Sequence, residues 1–345
     1  RLWAMVRERG YPGSAIQVSR YVRTVRPATR AEAYLRLDTL PGEQAQVDWG
    51  HFGSIRVGST TRPLSCFALV LSWSRAGYAR FALDQTLESF LRGHVEAFAA
   101  LQGVPRTILY DNLKSVVLER VGDHIRFHPR VLDLAGHYHY APQPCAVARG
   151  NEKGRVERFL GFLRHSFFAA RTFRSLEDLN AQLTRWIAEV AHARLVPGRR
   201  DQSVVDALAE EQPRLLPLPE HPFACQLLRA VSSGKTPYIR FDGNDYSIPH
   251  RLVRRPLTLV ASEHQLRLLD GTTEVARHAR SYDRGQRIED DAHLAGLVAE
   301  KRRAHDLRGR DRLRAACPQA EAFLDALAVR GHPLASETTR LLRLL

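Results

Sequence analysis

Long apolar runs are missing from this 345-residue chain. The richest, Cys66 to Trp73, falls far short of the ~18 residues that a membrane-spanning helix needs, so no membrane association is expected. Cysteine is scarce. The four, at 66, 145, 225 and 317, lie far apart, with no C-x-x-C pair and no histidine partner at finger spacing, which argues against disulfides and structural zinc. Acids are in deficit, Asp+Glu 37 against Lys+Arg 51, and the net charge is +14. Such a surface favours a polyanion such as nucleic acid over a neutral small molecule. A hydrophobic fraction of 44% nonetheless supplies packed cores and excludes a disordered basic tail. The chain begins with Arg1, carries no signal-peptide pattern, and reads as cytoplasmic and short of its true N-terminus.

What is present falls into blocks. Residues 2 to 9 are helically periodic and stop at Gly10, and Ser14 is placed to cap a second helix through about Val25. Gln17, Arg20 and Arg23 then share one face, as in a helix-turn-helix or an ordinary hairpin with a solvated basic side. Strand texture follows at Gln44 to Gly50, Ser54 to Val57, Leu64 to Trp73 and Ala79 to Leu83. A helix is expected over Leu87 to Leu101, a short strand over Thr107 to Tyr110, a helix near Arg130 to Gly136 and a strand around Tyr138 to Ala141. Helical spacing resumes from Gly150 and again over 175 to 192, and the Pro-rich stretch Pro213 to Pro222 reads as a linker. Five short strands between Tyr238 and His278 suggest a small barrel, and an Arg-rich helical tail runs from His293.

Three carboxylates stand out. Asp48 lies in the first strand, Asp111 ends a short apolar strand, and Glu157 borders the buried stripe of a helix. An acid in a core strand is costly unless it is paired or binds a metal. Two in one sheet and a third on a helix offer oxygen ligands for hard divalent cations and two-metal phosphoryl transfer. Taken singly, Asp48 reads equally as a salt-bridge residue, a strand-end Asp-Asn such as Asp111 is also a common turn, and a helical Glu such as Glu157 is usually solvated. Four histidines at 124, 128, 137 and 139 lack metal-site spacing and read as composition.

The strings PGEQAQVDWG (41 to 50), YDNLKSVV (110 to 117) and GNEKGRVERFLGFLR (150 to 164) together resemble the DDE integrase core of insertion-sequence transposases, the IstA-like IS21 family. The three blocks occur in the family's order, and the resemblance extends to about residue 305, including FDGNDYSIP at 241 to 249. It implies a catalytic triad of Asp48, Asp111 and Glu157 holding two Mg²⁺ ions, with Mn²⁺ as substitute. The 45 residues between Asp111 and Glu157 exceed the family's name-giving spacing, and Glu152 is the second choice for the third acid. The implied core is ribonuclease-H-like: α/β, a mixed five-stranded sheet flanked by helices.

The resemblance divides the chain into a helix-turn-helix remnant (1–30), catalytic core (31–172), helical extension and linker (173–222), small β-barrel (223–285) and basic helical tail (286–345). Lys114, Lys153, Arg155, Arg158 and Arg164 cluster around two of the acids and are expected to neutralise DNA phosphates. Asn112 either touches DNA, orients Asp111 or caps a turn. The implied activity is that of a bacterial, nucleoid-associated DNA transposase. It would bind terminal inverted repeats, cleave the 3′ ends and join them to target DNA, as a homodimer or higher assembly with an AAA+ ATPase helper. A non-catalytic DNA-binding relic and a nuclease of the same fold are the alternatives.

Overall fold

The structure is a computed structural model that describes residues 2–25, 39–110, 117–121, 124–145 and 154–344. The chain divides into two compact units, Arg1–Asp38 and Thr39–Leu345. In the first, α1 (Leu2–Glu8) and α2 (Ala15–Val25) flank a turn in which Gly10 takes φ +89°, a value that a side chain would strain. The Trp3 indole donates to the Gly13 carbonyl at 3.0 Å, closing the turn. Ser14 caps α2 as its position predicts, through a reciprocal pair: Ser14 Oγ accepts from the Gln17 amide, and Gln17 Oε1 accepts from the Ser14 amide at 2.8 Å.

The second unit begins with an antiparallel meander of β1 (Gln44–Val57), β2 (Thr60–Leu71) and β3 (Gly77–Ala82). Next comes α3 (Leu87–Leu101), whose N-cap Thr86 accepts from the Ser89 amide and whose C-cap Gln102 is left-handed. It leads into β4 (Thr107–Tyr110), a hairpin of β5 (Val117–Val121) and β6 (His124–Phe127), α4 (Pro129–Tyr138) and β7 (Ala141–Pro144). The five-stranded sheet has the order β3-β2-β1-β4-β7, with β4 parallel to β1 and β7 parallel to β4. The strand expected at Tyr138 starts three residues later, because Tyr138 is buried against Phe98 as the last residue of α4 and His139 ends that helix at φ 58°.

Because β1 is central, its alternating side chains serve two cores. Ala45 and Val47 pack with Phe67, Leu69, Tyr110 and the α3 residues Phe90 and Phe98. On the other face Cys66, Ala68, Val70 and Phe81 meet α5 (Gly154–Phe162) through Val156, Phe159 and Leu160. Each fully buried Leu or Phe contributes about 2 kcal/mol, so these cores tolerate a few polar residues on the central strand. The α5 axis continues as a π-helical segment, Leu163–Phe168, and α6 (Leu176–Trp186) ends in another, Ile187–Ala191.

After α7 (Val204–Glu211), the Pro-rich stretch expected as a linker is partly fastened to the sheet unit. Leu215 is buried, and Val104 and Leu216 exchange backbone hydrogen bonds of 3.0 and 2.8 Å. Beyond it lie β8 (Leu227–Ser232), β9 (Tyr238–Phe241), β10 (Asn244–Ser247), β11 (Pro256–Ala261), β12 (Gln265–Asp270), β13 (Thr273–Ala279) and β14 (Arg287–Ile288). They form two sheets, β13-β12-β11-β8 and β14-β10-β9, around one core that includes Ile239, Tyr246, Leu259 and Leu268. This β-module is clamped to β2: the Arg62 guanidinium, 7% exposed, donates to both carboxylate oxygens of Asp242 and to the Tyr282 carbonyl. The helices α8 (Asp291–Ala316), α9 (Ala320–Val329) and α10 (Leu334–Leu342) end the chain, packed around Leu313 and Leu324. Among the described residues no helix is long and apolar enough to cross a membrane.

Candidate catalytic site

Gln46, Asp48 and Gly50 alternate along β1 and share one face. Their cross-strand partners on β2, Val70, Ala68 and Cys66, all belong to the core beneath α5. Asp48 is half-buried at this position, and its Oδ1 accepts from the Trp49 amide at 2.8 Å. A carboxylate on a central strand forgoes part of its hydration, so it is placed to attract cations more strongly than a fully solvated acid.

Two contacts bring α5 against this face on either side of Asp48. On one side Gln46, 1% exposed, accepts at Oε1 from the amides of Arg155 and Val156, at 3.1 and 3.2 Å. On the other, Gly50 leaves room for Leu160: a Cβ built there would stand 2.9 Å from Leu160 Cδ2. Glu157 sits in the first turn of α5, next to buried Val156, and is exposed.

Asp111, Asn112, Lys114, Lys153 and the alternative acid Glu152 lie outside the described residues. The last described residue before Asp111 is Tyr110, which pairs with Val47 in the parallel register of β1 and β4. Among the described residues no three His, Cys, Asp or Glu side chains are grouped to hold a metal ion. The donor set that the sequence singles out consists of carboxylates, which suits a hard cation such as Mg²⁺ rather than a soft one.

The expected phosphate-binding residues differ in their engagements. Arg158 is exposed on α5. Arg155 is half-buried and donates through Nη1 to Gln44 Oε1 at 3.4 Å. Arg164 donates to the His51 carbonyl at 3.1 Å and stacks 4.9 Å above the Phe52 ring, fastening the π-helical segment to β1. In the first unit Arg20 is exposed, Gln17 is occupied by the capping box, and Arg23 lies on α2 with its side chain outside the described residues. Two of the histidines have structural work: His128 caps α4, and His137 donates to the His221 carbonyl.

Sequence reasoning passed over two features next to the site. Gln46 is one; the signal available was a polar side chain in phase with Asp48. The other is a buried polar chain, His94 to Tyr110 to Tyr140, with hydrogen bonds of 3.0 and 2.9 Å. Its only sequence trace is a histidine on the apolar stripe of α3.

Residues 218–290 match the family described as Mu transposase, C-terminal domain. A "Transposase for insertion sequence element IS21" from Pseudomonas aeruginosa is 30% identical over 279 residues, covering 80% of this chain and 71% of that one. A "Putative transposase for insertion sequence element IS5376" from Geobacillus stearothermophilus is 32% identical over 221 residues, 64% of this chain and 55% of its own. The chain thus spans between about half and seven-tenths of these curated relatives. Among solved structures, a chain of the simian T-cell lymphotropic virus intasome in complex with PP2A regulatory subunit B56 gamma aligns with 75% of this chain and 83% of its own. The identity is 18% and the TM-score 0.39.

Proposed function

The chain belongs to the transposases of IS21-type insertion sequence elements, and from that membership we propose that it cuts and joins DNA at a site built from Asp48, Asp111 and Glu157. The observation that carries the reading is the half-buried Asp48 on the central strand, beneath a helix whose first turn holds Glu157. Strand register supports the second acid. Val47 and Tyr110 are Cα partners in one core, and a single peptide unit, ~3.8 Å, leads from each to Asp48 and Asp111. Alternation along a strand would then turn both carboxylates to the face opposite that core.

The three acids would hold two Mg²⁺ ions, or Mn²⁺ in their place. The chemistry such ions supply is activation of the attacking oxygen and charge neutralisation at the leaving oxygen of an in-line displacement. The protein's part is to hold Asp48 half-buried on β1 and Glu157 on the first turn of the helix packed against that strand. Arg158, with Lys114 and Lys153, would meet the phosphates on either side, and Asn112 would touch DNA or orient Asp111. The order β3-β2-β1-β4-β7, with helices packed on both faces, supports a ribonuclease-H-like core over 31–172. We assign the helix pair of 1–30, with Arg20 and Arg23, to the terminal inverted repeats, and read the β-module of 223–285 as a small barrel. Two DNA ends require a homodimer or higher assembly at the nucleoid, and target choice falls to an AAA+ ATPase helper.

Labelled terminal-repeat DNA and a target plasmid test this with the full chain and Mg²⁺. Cut 3′ ends and joined products are expected, with both lost at least roughly a thousandfold in Asp48→Asn and Asp111→Asn while DNA binding persists. Cutting without joining would make the protein a nuclease of the same fold. Binding without cutting would leave a non-catalytic relic.

A further inference from the structure

The amides at the start of α5 find their acceptor on a distant strand. The first N–H groups of any helix have no partner within it, and the usual acceptor is the residue just before the helix. Here Arg155 and Val156 donate to Gln46 Oε1, 109 and 110 residues away in the chain. Gln46 is 1% exposed, so water does not compete for these bonds. A buried side-chain acceptor shared by two amides fixes both the height of the helix above the sheet and its rotation. It does so two residues from Asp48 on the strand and one residue from Glu157 on the helix.

The second contact is steric and lies on the far side of Asp48. The absence of a side chain at Gly50 lets Leu160 approach, and Phe159 lies over Gly77 on β3, where a Cβ would stand 2.6 Å from its ring. Asp48 is therefore bracketed by a hydrogen-bonded point at Gln46 and a close-packed point at Gly50. The apolar contacts set how near α5 comes, but they resist sliding along the helix axis poorly. The directional bonds to Gln46 supply that axial stop.

We infer that Gln46 is a positioning residue. It touches neither metal nor DNA, and it sets the separation of the Asp48 and Glu157 carboxylates by anchoring the first turn of α5 to β1. The inference rests on the catalytic reading of those two acids. It explains why an amide side chain occupies a fully buried strand position where an apolar residue would pack at lower cost.

The experiment compares the wild type with Gln46→Leu, which removes the acceptor, and Gln46→Glu, which retains one at the same reach. Two readouts do not need catalysis. Hydrogen exchange without metal is expected to show lost protection in the peptide starting at Gly154 for Gln46→Leu, and wild-type protection for Gln46→Glu. Titration with MgCl₂ or MnCl₂, followed by the rise in melting temperature, is expected to need at least tenfold more metal in Gln46→Leu and less than threefold more in Gln46→Glu. Affinity for terminal-repeat DNA in the absence of metal should stay within threefold throughout. If Gln46→Leu loses its cooperative melt, Gln46→Asn, one methylene too short to reach, takes its place with the same expectations.

Unchanged protection, or an unchanged metal midpoint beside a responsive wild type, overturns the inference. A wild type that itself shows no metal response, or one that persists in Asp48→Asn, overturns the catalytic reading instead, so the two failures are distinct.

Discussion

Tyr110 donates its phenolic proton to Nε2 of His94 at 3.0 Å, in a part of the core where both residues are fully buried. The direction follows from the other nitrogen. His94 Nδ1 lies 2.8 Å from the Phe90 carbonyl, which can only accept, so Nδ1 carries the proton and Nε2 is the acceptor. Tyr140 then donates to Tyr110 at 2.9 Å, and the three side chains form one ordered chain behind the strand that leads to Asp111.

The neutral form of His94 is therefore built into the fold, and burial pushes its imidazole down to about 4. In the unfolded chain the same group titrates near 6.5. Above that pH both states are neutral and the stability is whole. Below it the unfolded chain takes up a proton that the folded one refuses, so stability falls between about 6.5 and 4. The loss approaches roughly 3 kcal/mol at the lower end. Urea midpoints measured across this window should decline in the wild type and flatten in His94→Gln.

Tyr110→Phe should cost more than Tyr140→Phe. The first strips His94 Nε2 of its donor and Tyr140 of its acceptor, at about 2 kcal/mol; the second leaves the His94 to Tyr110 bond in place and costs about 1. Chemical denaturation of the two single variants decides the order.

The clamp between β2 and the C-terminal β-module offers a third test. Asp242→Asn keeps a residue that tolerates the φ of 46° there but removes the charge facing Arg62. A guanidinium only 7% exposed is then left without its carboxylate, and a loss of roughly 3 kcal/mol is expected. Because the pair is shielded, the penalty should barely change between low and high salt, unlike that of the exposed Arg255 to Asp270 pair.

Two glycines near α5 should respond in opposite directions. Gly77→Ala drives a methyl group into the Phe159 ring and should destabilise by about 1 to 3 kcal/mol. Gly161, inside α5 with nothing within 4 Å of the added carbon, should gain about 0.5 to 1 kcal/mol on Gly161→Ala. Melting temperatures of the pair provide the check.

The strands that pair in the sheet were legible because alternation and apolar runs are written locally: Gln44 to Gly50, Leu64 to Trp73 and Thr107 to Tyr110 all fall within observed strands or overlap them closely. Helix α3 was legible from its stripe and its closing glycine. What was missed depends on partners elsewhere. The β5 to β6 hairpin and β8 have mixed patterns that only pairing resolves, and α7 is only 8 residues long, too short for its stripe to stand out. The π-helical segments after α5 and α6 keep the apolar period of a helix, so spacing cannot distinguish them. At the site, Asp48 stands out as a charge in an apolar strand. Gln46 does not, because its meaning comes from two amides more than a hundred residues away.

The alternation of β1 also restricts how this strand can change over generations. Ala45 and Val47 serve the core behind α3, while Gln46, Asp48 and Gly50 serve the face of α5. A single codon gained or lost between 44 and 50 would exchange these duties at every position, sending the carboxylate into oil and a valine to the face beneath α5. Substitutions can be sampled one at a time here, but length cannot. The irregularity between His51 and Ser54 is the first place along the strand where an extra residue has already been absorbed.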